Sequence, residues 1–346
     1  MFSTAINNSR LAQEYADGPR LLADIGGTNA RFALERAPGR IESIRVLRSA
    51  DHAEFAGAIE AYLAECRQPA VRHAAVAIAN PVHGDYIRMT NHHWAFSIEA
   101  MRRRFHLDTL LAVNDFTALA MALPHLGPKE YRPIGGGKVC PDSVIGLVGA
   151  GTGLGVGGLV PANGRWIALD SEGGHASFSP VDAREVAILQ FAWKNHAHVS
   201  AERLVSGIGI ELIHAALAAQ QSDASAALQL GAPEIMQRAL RGDDPLCMET
   251  IECFCAMLGT VASNVAVTLG ALGGVYIGGG IVPRLGDYFA RSPFRARFED
   301  KGRFSDYLAR IPTFVIDAPY PAFVGVAAIL AGHLGESTAI PPHPKP

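Results

Sequence analysis

The chain has 346 residues, 49% of them hydrophobic and 18% charged, enough to bury a large core divided between two lobes. With 30 Lys and Arg against 33 Asp and Glu, its net charge of −3 exerts no general pull on nucleic acid or an anionic membrane, so a small-molecule partner fits better. The 5 cysteines, Cys66, Cys140, Cys247, Cys253 and Cys255, show no metal or redox spacing and read as reduced, mostly buried thiols of a cytoplasmic protein.

Residues 1–20 are polar, lack the apolar core of a secretory signal and read as a flexible extension. Residues 21–34, LLADIGGTNARFAL, form an apolar run that breaks at a Gly-Gly-Thr turn and resumes: a strand, a tight turn and a second strand, with Asp24 just before the turn. Residues 41–47 alternate like a third strand, and residues 54–66 carry apolar positions at helical spacing. VRHAAVAIA, residues 71–79, is continuously apolar toward its end, as a parallel strand buried on both faces is, and stops at Asn80-Pro81. TNHHWAFS, residues 90–97, precedes a basic helix over residues 98–105. A buried strand at residues 110–113 runs into Asn114-Asp115 and the helical FTALAMALPHL. Strands first and βα units afterwards predict a mixed sheet with helices packed on it.

Residues 124–138, rich in proline and closed by a triple glycine, mark a boundary. Beyond it VIGLVGAGTGLGVGGLV, residues 144–160, repeats the strand, glycine turn and strand of the opening stretch after about 125 residues. A strand at 166–170, the segment EGGHASFSP, and helices from 183, around 200–217 and on to 240 follow. Residues 253–283 carry no charge and are long enough to span a bilayer, but Gly259, Ser263, Asn264, Thr268 and Gly273-Gly274 divide them into a buried core helix and a short strand, GVYIGGG. A charged helix over 295–311, a strand over 313–317, a closing helix over 322–334 and a disordered tail over 335–346 complete the chain.

Glycine turns free backbone amides to hold an anion such as phosphate, although an ordinary hairpin would also account for them. Gly153-x-Gly155-x-x-Gly158, with Glu172 downstream, matches the dinucleotide fingerprint in letters only. That fingerprint requires a helix straight after the turn, and here a strand-like run reaches Pro161. A Walker loop fails because Val139 follows Lys138 and Arg132 stands where the first glycine belongs. Two hairpin turns facing each other across a cleft remain the best account. Asn114-Asp115 sits where an α/β sheet places ligands. Capping of the following helix would explain the pair equally, and the two roles are compatible. An Asp at a helix N-terminus stays ionised near neutral pH and can accept a hydroxyl proton. Glu172 and His175 share a glycine-rich loop; they are either merely solvated or grouped to bind a polyhydroxyl ligand, which suits carboxylate, amide and imidazole together. Neither His175, His92-His93 nor His196-x-His198 has the partners of a metal site.

With residues 21–34, TNHHWAFS, VNDFTALAMA, GAGTGLGVGGL, EGGHASFSP, HVSAERLVSGIG and GGVYIGGGIVPRL in this order, the sequence resembles the bacterial glucokinases of the hexokinase–actin–Hsp70 superfamily over about residues 21–333. The resemblance implies an α/β, two-lobed, actin-like ATPase (ribonuclease-H-like) fold, with mixed sheets, flanking helices and an interlobe cleft. Residues 21–124 with about 313–334 would form the small lobe and residues 125–312 the large one. It implies ATP-dependent phosphorylation of D-glucose at the 6-hydroxyl to glucose 6-phosphate in the cytoplasm, with no nucleic acid or membrane partner and with the homodimer question open. Asp115 would be the general base, and Asn114, Glu172, His175 and Glu202 would bind the other hydroxyls. Ala23, Asp24, Ile25, Gly26, Gly27 and Thr28 would form the first phosphate turn, with Asp24 near Mg²⁺ through water. Gly151, Thr152 and Gly153 would form the second, and Gly278, Gly279 and Gly280 would lie near the adenosine. His93 beside Trp94 and the long extension depart from the family pattern. The related repressor and kinase family is disfavoured because no cysteine lies between 140 and 247 to make its zinc motif. The sequence leaves open other hexoses, a polyphosphate donor and a non-catalytic sugar sensor, although no helix-turn-helix or basic segment supports the last. A nicotinamide-dependent oxidoreductase is argued against by the missing helix after Gly158.

Overall fold

The computed structural model describes residues 6–7, 13–68, 70–220 and 230–336. The chain divides into two compact units, Met1–Leu126 with Pro319–Pro346, and Gly127–Ala318.

The first unit is built on a six-stranded sheet. Its strands are β1 (Ile6–Asn7), β2 (Arg20–Ile25), β3 (Asn29–Ala37), β4 (Arg40–Arg48), β5 (His73–Ile78) and, after the two-stranded ribbon of β6 (Tyr86–Arg88) and β7 (Ala95–Ser97), β8 (Thr109–Asn114). Sheet order is β1-β4-β3-β2-β5-β8. The β2–β3 hairpin pairs Leu21 with Leu34 and Ile25 with Ala30, as the alternation of residues 21–34 predicts. β2, β5 and β8 run parallel, with Ile25 opposite Ile78 and Ile78 opposite Asn114. Both faces of β2 and β5 are covered. Leu21, Ala23, Ala74 and Val76 pack toward helix α1 (Phe55–Glu65), while Leu22, Ala75 and Ala77 form a second cluster with Ala118 and Phe323. Helix α2 (Ile98–Arg104) starts where the Ser97 hydroxyl accepts the Ala100 amide, and α3 (Asp115–Ala122) follows β8 directly. The β8 strand is only half-buried beyond Leu110, because it is the edge of the sheet and lacks a neighbour on one side.

The second unit repeats this plan. Its strands are β9 (Tyr131–Ile134), β10 (Ile145–Ala150), β11 (Leu154–Ala162), β12 (Arg165–Leu169), β13 (Val275–Gly278) and β14 (Thr313–Ile316). They are ordered β12-β11-β10-β13-β14-β9. As in β4-β3-β2-β5-β8, an antiparallel three-strand meander leads into two parallel strands. Helices α4 (Ala183–Trp193), α5 (Ala201–Leu204), α6 (Gly207–Ala218), α7 (Ala232–Arg241) and α8 (Pro245–Leu269) precede β13. Asp182, Ser200, Ser206 and Asp244 cap the starts of α4, α5, α6 and α8, and glycines in the left-handed conformation stop α7 and α8. The α8 helix is the one described segment long and apolar enough to cross a membrane, and 83% of its most apolar window is buried inside the protein, where it packs on α6, α7 and the β10 strand. Short helices α9 (Val282–Leu285), α10 (Asp287–Arg291), α11 (Phe294–Glu299) and α12 (Ser305–Ala309) follow, and α13 (Pro321–His333) returns to the first unit.

Several expectations need correction. The strand at 313–316, assigned by resemblance to the small lobe, is hydrogen-bonded between β13 and β9 in the second sheet, so only α13 returns to the first. There it packs on α3, with Gly325 so close to the Ala118 carbonyl oxygen that no Cβ fits. The boundary segment 124–138 hides β9, whose Pro133 is tolerated because β9 is an edge strand. The charged helix expected over 295–311 ends at Glu299, where Asp300 leaves the helical region with ψ 87°, and Gly302 at φ +55° keeps it from resuming before Ser305. The expected flexible extension is tied down where it is described: Ile6–Asn7 pairs with β4, the Tyr15 amide donates to the Arg36 carbonyl, and Arg20 opens β2. The tail expected over 335–346 lies outside the described residues from 337 onward.

Candidate active site

In the first unit three expected residues meet at the carboxyl ends of the parallel strands. Asn114, last in β8, has extended backbone and caps α3: its Oδ1 accepts the amides of Phe116 at 2.9 Å and Thr117 at 3.2 Å. Its Nδ2 donates to the Asn80 carbonyl at 3.3 Å, so β8 and the chain leaving β5 are tied at their ends. One Nδ2 hydrogen is left for a ligand. Asp115 is the first residue of α3, and its carboxyl is pushed up to about 6. Loss of water around it is the main cause and the Asp24 charge adds to it, while the amides of Phe116 and Asp115 pull the other way. The carboxyl therefore stays mostly ionised near neutral pH, as its helix position suggests, but burial brings its titration much closer to that range. At pH 7 most such groups are still ionised, and a base whose affinity for protons lies this close to neutrality is a better acceptor than an ordinary aspartate.

Asp24, next to last in β2, accepts from Arg31 Nη1 at 2.9 Å across the hairpin. Burial nevertheless raises its carboxyl, with Arg31 opposing the shift. The turn that follows is closed by Gly26 N donating to the Asn29 carbonyl at 2.9 Å and is braced by Ser49, whose Oγ donates to the Gly26 carbonyl. Gly27 is required there because a Cβ would stand 2.8 Å from the Asn91 carbonyl oxygen, so TNHHW lies over the turn.

In the second unit the remaining residues assemble at one end of the second sheet. The Gly151–Gly153 turn joins β10 to β11, closed by Gly151 N donating to the Gly153 carbonyl at 2.8 Å. The glycines after β13 reach the same place: Gly279 has φ +82° with no room for a Cβ beside the Ala150 carbonyl, and Ile281 N donates to that oxygen at 3.3 Å. Gly174 sits against the Leu154 carbonyl with no space for a side chain, which fixes the 172–175 loop over the start of β11. Glu172 Oε2 and His175 Nε2 are 4.0 Å apart. His175 Nδ1 is 4.0 Å from Glu202 Oε1, the latter a third exposed and the other two side chains largely so. Glu202, in sequence only an acid near a helix start, is one of the three. Its other oxygen accepts the Leu154 amide at 2.9 Å.

Gly153, Gly155 and Gly158 lie at or in the strand β11, which removes the dinucleotide fingerprint. The five cysteines are free thiols, and burial drives Cys247, Cys253 and Cys255 up to about 12. Among the described residues no three His, Cys, Asp or Glu side chains group to hold a metal. Sequence reasoning passed over Arg31, Asn80 and Asn91, which act on Asp24, Asn114 and Gly27. Arg31 was within reach, since in a hairpin that pairs Leu21 with Leu34 it stands directly opposite Asp24.

Two sheets that share a five-strand topology, each with a glycine hairpin turn between its first parallel strand and the antiparallel neighbour, define the actin-like ATPase fold. A glucokinase from an Antarctic psychrotroph shares it at a TM-score of 0.83 and 35% identity over 92% of this chain and 100% of that one. The glucokinase family model matches residues 21–333, and the chain belongs to that family. A Burkholderia pseudomallei protein described as bifunctional protein glk is 59% identical over 98% of this chain but only 52% of its own length, so the chain spans about half the length of such relatives. The glucokinase of Chromobacterium violaceum is 54% identical over 94% of this chain and 95% of its own.

Proposed function

We propose that this protein transfers the terminal phosphoryl group of MgATP to the 6-hydroxyl of D-glucose, giving glucose 6-phosphate and ADP in the cytoplasm. The observation that carries the reading is Asp115: a carboxylate held at a helix start, mostly ionised at pH 7 and raised toward neutrality. In this reading it accepts the proton of the 6-hydroxyl as the oxygen attacks phosphorus, a contribution typically of ~10² to 10⁴ in rate. Asn114 offers its free amide hydrogen to a neighbouring hydroxyl, and Glu172, His175 and Glu202 accept from or donate to the others.

The amides of Gly26–Thr28 and Gly151–Gly153 hold the phosphates, while Gly278–Gly280 lies beside the adenosine. Two family namesakes, one at 54% identity over nearly full length and one at 35%, support glucose as the acceptor. Mg²⁺ would neutralise charge on the phosphates when bound. The residues suit it, because Asp24 is a partly buried carboxylate at the first glycine turn, and Mg²⁺ uses one or two carboxylates, directly or through water, with phosphate oxygens rather than a protein cage. The test is a panel of hexoses with MgATP, with ADP release measured for wild type and Asp115→Ala. Release with glucose that collapses in the variant supports the reading. No release with any sugar would end the kinase assignment, and near-normal turnover by the variant would end the role of Asp115.

A further inference from the structure

Glu202 uses its two oxygens on two different parts of the second unit. Oε1 faces His175 Nδ1 at 4.0 Å, on the side where the loop 172–175 presents its polar groups. Oε2 accepts the amide of Leu154, the residue immediately after the Gly151–Gly153 turn, at 2.9 Å. Gly153 leaves room for that oxygen, since a Cβ there would stand 2.5 Å from Oε2. The other end of the turn is held from the same segment of chain: Gly207, which opens α6, donates its amide to the Gly151 carbonyl at 2.9 Å. Both ends of the turn are therefore gripped by the α5–α6 segment, one by a carboxylate and one by a backbone amide. A carboxylate free to rotate holds an amide weakly, and one fixed by a second ligand holds it well, because the ordering cost has already been met.

We infer that Glu202 is a positioning residue that couples the two substrates: sugar bound at Oε1 fixes the carboxylate, and Oε2 then sets the nucleotide turn through the Leu154 amide. The inference rests on the proposed glucokinase reading, and it assigns Gly153 a part in sugar affinity that a phosphate-turn glycine would not otherwise have. Coupling is reciprocal, so a nucleotide that orders the turn tightens the sugar by the same factor.

The test compares Gly153→Ala with Gly151→Ala. Both lie in the turn, but a Cβ at Gly151 meets only the Gly280 amide nitrogen, at an ordinary contact distance of 3.9 Å, so it leaves the turn in place and cannot reach Glu202. Glucose affinity is measured by calorimetry with no nucleotide present, alongside melting temperature. We expect Gly153→Ala to weaken glucose on the order of tenfold, while Gly151→Ala binds glucose as the wild type does. A second arm measures the affinity of a non-hydrolysable ATP analogue with Mg²⁺, with and without saturating glucose, in wild type and Glu202→Gln. We expect a several-fold gain with glucose in the wild type and its loss in the variant.

Equal glucose affinity in Gly153→Ala and wild type, or equal weakening in both glycine variants, overturns the coupling. If Gly153→Ala does not fold, the second arm decides alone, and a wild type whose nucleotide affinity ignores glucose overturns it. A wild type that binds neither ligand instead removes the glucokinase reading itself, an outcome distinct from all of these.

Discussion

Asp24 and Asp115 stand at the ends of β2 and β8, two strands separated only by β5, and the charge on Asp24 adds to burial in raising the Asp115 carboxyl to about 6. A base must be ionised to accept a proton. The value of kcat/KM for glucose is therefore expected to be flat above about pH 7 and to fall roughly tenfold per pH unit below about 6. A pH–rate profile at saturating Mg²⁺ checks this, and a limb placed near pH 4 would show that the Asp115 carboxyl is not raised in the working enzyme.

The same shift has a sign for stability. Folded Asp115 holds its proton to higher pH than it does unfolded, so between about pH 4 and 6 the folded state binds more protons and stability declines as pH rises. Below that window the penalty is absent, and above it the penalty is complete. Asp115→Asn should accordingly raise stability at pH 8 by on the order of 2 kcal/mol, with little gain at pH 4, while turnover falls by ~10² or more. Thermal melts at the two pH values, run beside an activity assay, separate the effects.

Gly174 has no room for a side chain beside the Leu154 carbonyl, a backbone group that cannot swing aside. In Gly174→Ala the loop carrying Glu172 and His175 must shift off β11, and glucose binding measured by calorimetry should weaken by about tenfold or more. Unchanged affinity would show that the loop does not contribute to the sugar site.

In α13, Gly325→Ala forces a methyl into the Ala118 carbonyl of α3, whereas Gly332→Ala meets nothing within 4 Å. Urea unfolding should show the first variant destabilised by about 1–3 kcal/mol and the second unchanged or more stable by about 0.5–1 kcal/mol. The contrast tests whether the packing of α3 on α13, which stands behind Asp115, is as close as described.

Removing Mg²⁺ with a chelator should abolish ADP release while leaving glucose binding within about twofold, because Glu172, His175 and Glu202 need no cation to meet hydroxyls. Loss of glucose binding on chelation would place the metal in the sugar site instead.

Local pattern made much of the fold legible. Residues 21–34 and 144–160 announce their hairpins because strand alternation and glycine turns are short-range signals, and the apolar run in α8 reads as core because its polar and glycine interruptions do not suit a bilayer. The order of residues around Asn114-Asp115 likewise fixes a strand, a cap and a helix. Long-range pairing was less legible. The edge strand β9 is masked by prolines, and residues 313–316 read as a strand without showing which sheet would accept them.

At the candidate site the residue types, the turns and the local geometry of Asn114 follow from the amino-acid sequence itself, since each depends on neighbours a few positions away. The direction of the Asp115 shift depends on how much water the fold removes and on Asp24, 91 positions earlier in the chain. Glu202 meets the Leu154 amide across 48 residues, a bond no local pattern encodes. Tertiary structure therefore decided how the groups are tuned and linked, because desolvation and non-local hydrogen bonds exist only once the sheets have formed.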